Sequence, residues 1–156
     1  MRDLILLSFM ALCLAAAIRH PFAGLLTWAW FTLMTPHQAA FGVYGVPLNV
    51  IIAGVTIGSY VVSGEIAKFR FDVITILIIL FAGWLTLAQA FSLSPENSAV
   101  YHDRFIKTLL FVLLCAQMAA GKLRFNALVW TMVASIGFFA AKGAAFTFAT
   151  LGQFRV

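Results

Sequence analysis

A chain of 156 residues that is 63% hydrophobic and 10% charged, with a mean hydropathy of +1.04, carries more apolar surface than one small globule can hide, because a folded domain of this size still leaves much of its area exposed. Lipid has to take the surplus. The net charge of +5 does not point to nucleic acid, since the bases fall in short clusters between apolar runs, where they act as topology signals and headgroup anchors.

Apolar runs bounded by charge, Gly or Pro divide the chain into six blocks: Leu4 to Ile18, Pro21 to Thr35, Val46 to Ser63, Val73 to Phe91, Phe105 to Ala120 and Phe125 to about Leu151, the last two each holding one lysine, Lys107 and Lys142. They predict an all-α fold, a polytopic transmembrane bundle of about six apolar helices forming a single domain over residues 1–156. Val73 to Phe91 sets the pattern, because about 20 apolar helical residues, at roughly 1.5 Å rise each, match a hydrocarbon core about 30 Å thick. The first two blocks, at roughly 22 Å of helix each, fall short of that thickness. Arg19, His20 and Pro21 separate them, and proline breaks a helix, so they read as a hairpin of two short helices. A secretory signal peptide is the rival reading of the first block, weakened by Asp3 and by the apolar block that follows.

The connections differ in charge. Gly64 to Asp72 carries Lys68 and Arg70, and Gly121 to Arg124 carries Lys122 and Arg124, whereas Pro36 to Gly45 has no Lys or Arg and Ser92 to Arg104 ends on its single strong base. The positive-inside rule places the first pair in the cytoplasm and the second pair outside. No internal repeat or interdomain linker is visible. The chain stops on Phe154, Arg155 and Val156 with no polar tail, which reads as a fragment of something longer or a minimal membrane piece.

Ionisable groups at membrane depth are costly and therefore face protein, pair, or mark a substrate path. Lys142, inside the last block, is the leading candidate, with snorkelling of its stem to the headgroups as the ordinary alternative. Arg104, Lys107 and Arg155 fall at the same outer face, where guanidinium and ammonium groups suit phosphate oxygens or simple interfacial anchoring. Lys142, Arg155 and Arg104 are thus the candidate contacts for an anionic lipid headgroup. His20, His37 and His102 show no metal-ligand spacing, and His102 beside Asp103 is a poor base and orienter pair. No phosphate loop, nucleophile elbow or divalent-metal motif is present, so no catalytic residue, metal or cofactor is assigned. Cys13 and Cys115 lie in apolar runs as small hydrophobes. Gly54 and Gly58, and Gly137, Ala141 and Ala145, read as faces for close helix contact. Trp28 and Trp30 read as interfacial, Trp84 and Trp130 as fillers of gaps within the bundle.

The opening Met-Arg-Asp-Leu, then Arg19-His20-Pro21-Phe22, Gly24, Trp28, Trp30 and Leu33-Met34-Thr35-Pro36-His37 resemble the N-terminal membrane region, called DUF5935, of O-glycosylation ligases associated with the exosortase A system. Ser135-Ile136-Gly137-Phe138, Lys142-Gly143, Phe146-Thr147 and Phe154-Arg155-Val156 are similar to the end of that region, although Gly143-Ala144 stands where Gly-Gly is frequent. The resemblance implies a multi-pass protein of the bacterial inner membrane, related to O-antigen ligases and polymerases. These move glycan from an undecaprenyl-diphosphate carrier to an acceptor at the periplasmic face. It also implies that the catalytic groups would follow Val156, and it makes Arg155 the residue tied most readily to glycan or diphosphate. Membrane lipid and the carrier-linked glycan are the expected partners, with no nucleic acid. A transporter or a non-catalytic membrane subunit is the alternative. Ion coupling is disfavoured because all five acidic residues lie outside the apolar blocks.

Overall fold

The computed structural model describes residues 2–34, 48–92 and 94–150, and these are entirely helical apart from turns. The six helices are α1 (Arg2–Arg19), α2 (Pro21–Met34), α3 (Leu48–Val62), α4 (Val73–Ala90), α5 (Pro95–Met118) and α6 (Lys122–Ala149), with a 3-10 turn over Glu65–Lys68. They group into two compact units, Met1–Ser63 with Gly121–Val156, and Gly64–Ala120.

In the first unit, the break between α1 and α2 is one residue wide. His20 N–H still donates to the Ala16 carbonyl at 2.9 Å, while the His20 carbonyl accepts from Ala23 N–H at 2.9 Å and so opens α2. Pro21 is the first residue of α2, the position where its missing N–H costs nothing. The two helices fold back on each other, bringing the Phe9 ring edge-on to Trp30 with centroids 5.3 Å apart. The hairpin read from Arg19-His20-Pro21 is therefore present. Ending a helix frees its last carbonyls, and one of them, Ile18, accepts the Ser59 hydroxyl from α3 at 3.1 Å.

Helix α2 is the centre of this unit. Leu25, Ala29 and Phe31 are at most 1% exposed, and Trp28 is buried with them, so Trp28 is a core residue of this unit. Opposite it, α3 buries Leu48, Ile52, Thr56 and Tyr60, a run at every fourth position that forms one helical face. At Gly24 the helices approach closely: a methyl group built there would meet Thr56 Oγ1 at 2.7 Å and Ala17 Cβ at 3.1 Å.

The small-residue faces expected from sequence are elsewhere. Gly54 and Gly58 sit two residues out of step with Ile52 and Thr56, hence on the far side of α3. Both are exposed, and a Cβ at either, or at Gly137, would meet nothing within 4 Å among the described residues.

The second unit is a hairpin of α4 and α5. The fifth apolar block begins at Phe105, but the helix begins ten residues earlier at Pro95. Hydropathy alone misses this start, whereas Ser94 at the N-cap, Pro95 at N1 and an acidic Glu96 in the first turn are the chemistry of a helix N-terminus. Helix α6 likewise begins at Lys122, directly after Gly121, whose φ of 101° is the left-handed region that favours glycine.

Two helices, Val73–Ala90 and Lys122–Ala149, are long and apolar enough to cross a membrane; α2 and α3 are apolar but shorter. Among the residues of α4 only Thr75 is buried, and in α6 only Leu128 and Ser135. Trp84 and Trp130 point outward, 65% and 71% exposed, so neither fills a gap within the chain.

Candidate functional site

The α4 and α5 hairpin is tied by polar side chains at both ends. At the end nearest residue 70, the Gln117 side-chain carbonyl accepts Arg70 N–H at 2.9 Å, and its amide donates to the Arg70 carbonyl at 3.0 Å and to Thr75 Oγ1 at 2.8 Å. Thr75 is 2% exposed. At the other end, Gln89 donates to the Pro95 carbonyl at 3.1 Å and accepts the Ser98 hydroxyl, while His102 Nε2 lies 3.2 Å from Thr86 Oγ1. These residues register the two helices against each other.

His102 is thereby turned toward α4, and its sequence neighbour Asp103 faces another way, accepting from the Lys107 ammonium one helical turn on. The adjacent His102 and Asp103 are separate features, as 100° of rotation per helical residue requires. Arg104 is exposed on α5, next to that ion pair in sequence. Its guanidinium has no partner among the described residues.

Lys142 is exposed on α6, again without a partner among the described residues. It lies 20 residues beyond Lys122 on one unbroken helix, or about 30 Å along the axis, which is about the thickness of a hydrocarbon core. Arg124, half-buried near the start of α6, places its guanidinium 5.5 Å from the centre of the Phe22 ring, a cation–π contact. Arg155 and His37 lie outside the described residues. The three candidate headgroup contacts are accordingly placed as two exposed cations on different units, plus one residue outside that description.

Among the described residues no three His, Cys, Asp or Glu side chains cluster as a metal site. Cys13 and Cys115 are free thiols. Sequence reasoning passed over Gln117 and Thr86, although a polar side chain inside an apolar block is the usual sign of an interhelical hydrogen bond.

Compared with known families, residues 1–155 match the one described as family of unknown function (DUF5935). The chain belongs to this family. No curated protein and no solved structure matches it. In this DUF5935 chain the features with chemical capacity are therefore the cations of α5 and α6 and the polar seam between α4 and α5.

Proposed function

We propose that this DUF5935 chain is a multi-pass membrane region of the bacterial inner membrane, part of a glycan ligase that moves glycan from an undecaprenyl-diphosphate carrier to an acceptor at the periplasmic face. The membrane part of this reading is carried by one observation. Helix α4 exposes Val73, Leu77, Leu80, Trp84 and Leu87, each more than half exposed, at three- and four-residue spacing. A helix of a soluble core would bury such a stripe, and a secretory signal would lie near the N-terminus; α4 does neither.

The ligase part is supported by the sequence resemblance around Arg19-His20-Pro21-Phe22 and Phe154-Arg155-Val156, and by Lys142 and Arg104, each an exposed cation with no partner among the described residues. A diphosphate at headgroup level needs such charges, with Arg gripping oxygens in its fork and Lys acting as a point charge. Positioning of the carrier is the role assigned to this region, and no residue of it is assigned to bond making.

Two measurements test the proposal. A cysteine replacing Asn97 should react with a membrane-impermeant thiol reagent in cells whose outer membrane is permeabilised, and one replacing Ala67 should not; the reverse labelling overturns the sidedness. In the protein in its native membrane, Lys142→Gln, Arg104→Gln and Arg155→Gln should each lower glycan transfer about tenfold, the effect of about 1.4 kcal/mol of lost binding, at unchanged abundance. Undiminished transfer in all three would reject the carrier-binding role.

A further inference from the structure

Four helix ends of the first unit meet at one place. Arg124, the third residue of α6, stands 5.5 Å from the ring centre of Phe22, the second residue of α2, and the two helices pack against each other, so both begin at this end. Helix α1 ends there at Arg19, one residue before α2. Helix α3 ends there as well, because Ser59 in its last turn donates to the Ile18 carbonyl at 3.1 Å.

The charges gathered at this end share one sign. Arg19, Lys122 and Arg124 are permanent cations, with His20 beside them. Asp3, the one acid in the sequence of this unit, lies at the far end of α1, about 24 Å from Arg19 at 1.5 Å per residue. The segment Gly64 to Asp72, on the same side by loop charge, holds two acids and two bases and adds no net charge. Arg124 is held over Phe22, whereas the side chains of Arg19, His20 and Lys122 are exposed and have no partner among the described residues.

Apolar surface is bared next to these cations. Ile18, Val62 and Leu123, each at one of the converging helix ends, are 67%, 88% and 85% exposed. A soluble phosphate ester would meet the bases and leave those side chains in water. A phospholipid covers both, its phosphate against the bases and its chains against the apolar residues.

We propose that Arg19, His20 and Lys122, with Arg124 behind them, bind the phosphate of an anionic phospholipid in the cytoplasmic leaflet. The side follows from Lys122 and Arg124, which loop charge puts in the cytoplasm; the α1–α2 tip is carried there with them, and the start of α1 lies on the other side. The site rests on the bilayer reading of this chain. It is on the face opposite the one assigned to the glycan carrier and does not depend on glycan chemistry.

The test places the full chain, in a Cys13→Ala, Cys115→Ala background, in phosphatidylcholine vesicles with a fluorophore on Leu123→Cys. The quencher is phosphatidylglycerol or phosphatidylcholine carrying a nitroxide on one acyl chain. Each base near an anionic headgroup is worth about fivefold in binding, so the phosphatidylglycerol should quench at a mole fraction at least tenfold below the phosphatidylcholine. Arg19→Gln with Lys122→Gln, both at exposed positions, should bring the two lipids to within about threefold. Equal quenching in the parent overturns the site, and a preference that survives the double substitution overturns its assignment to these residues. A preference erased by soluble glycerol 1-phosphate overturns a lipid as the ligand. On Leu80→Cys in α4 the two lipids should quench alike; the same preference there would mean bulk enrichment and overturn the site, whereas quenching by neither lipid overturns the bilayer reading itself. In permeabilised cells His20→Cys should be shielded from the impermeant reagent as Ala67→Cys is, and labelling like that of Asn97→Cys overturns the cytoplasmic placement.

Discussion

Gly24→Val is expected to destabilise the first unit by roughly 2–3 kcal/mol, seen as a lower midpoint of denaturant or thermal unfolding in detergent micelles. The reason is steric. A Cβ at residue 24 would stand 2.7 Å from Thr56 Oγ1 and 3.1 Å from both Thr56 Cγ2 and Ala17 Cβ. Thr56 has no easy way to yield: it is fully buried, and its hydroxyl already donates to the Ile52 carbonyl at 2.7 Å. Even Gly24→Ala should cost stability, despite the better helix propensity of alanine. Thr56→Ala removes the two clashing atoms, so Gly24→Ala combined with Thr56→Ala should be more stable than the sum of the single effects predicts, by about 1 kcal/mol. A Gly24→Val protein that unfolds at the parental midpoint would refute the close approach of α2 to α3.

Gln117→Leu should cost about 2 kcal/mol in the second unit, although leucine is of similar size and suits an apolar helix. Three hydrogen bonds disappear at once. Arg70 is exposed, so water can satisfy its backbone groups. The Thr75 hydroxyl is buried and loses a partner that water replaces poorly, which is the costly part. Thr75→Val should accordingly soften the Gln117→Leu defect, leaving the double variant less destabilised than the two single losses added together. Strict additivity in that double-mutant cycle would show that Gln117 and Thr75 do not share a hydrogen bond of consequence.

These two sites show what pattern reading catches and what it passes over. The Gly54 and Gly58 pair has the familiar spacing for helix contact, yet it lies on the exposed side of α3. The tight approach instead uses a single glycine, Gly24, against Ala17 and Thr56. Spacing identifies which residues share a face; it does not say which face finds a neighbour. The same limit applies to the tryptophans. Trp84 and Trp130, read as fillers of gaps within the bundle, point outward, whereas Trp28 is in the core. Gln117 was hidden for a different reason: its partners are some forty residues away in the chain, across a hairpin whose register no local signal announces.

The charged residues repeat the lesson. Counting Lys and Arg by loops put Arg104 at the end of an external segment, with Lys107 at the same outer face, and put every acidic residue outside the apolar blocks. Once α5 begins at Pro95, Asp103 is a helical residue lying alongside α4.

Composition and hydropathy by themselves determined that this DUF5935 chain is helical, where its six apolar segments lie, and that the first two part at Arg19-His20-Pro21. Those properties follow from local physics: apolar run length, the missing N–H of proline, and the cost of charge in an apolar segment. Only the tertiary structure decided that α2 is the core of one unit, that Gly24 lies hard against Thr56 and Ala17, and that Gln117 and His102 fix the register of α5 against α4. Each of those depends on which helix faces packed against which, and side-chain contact between distant segments is information that no single segment carries.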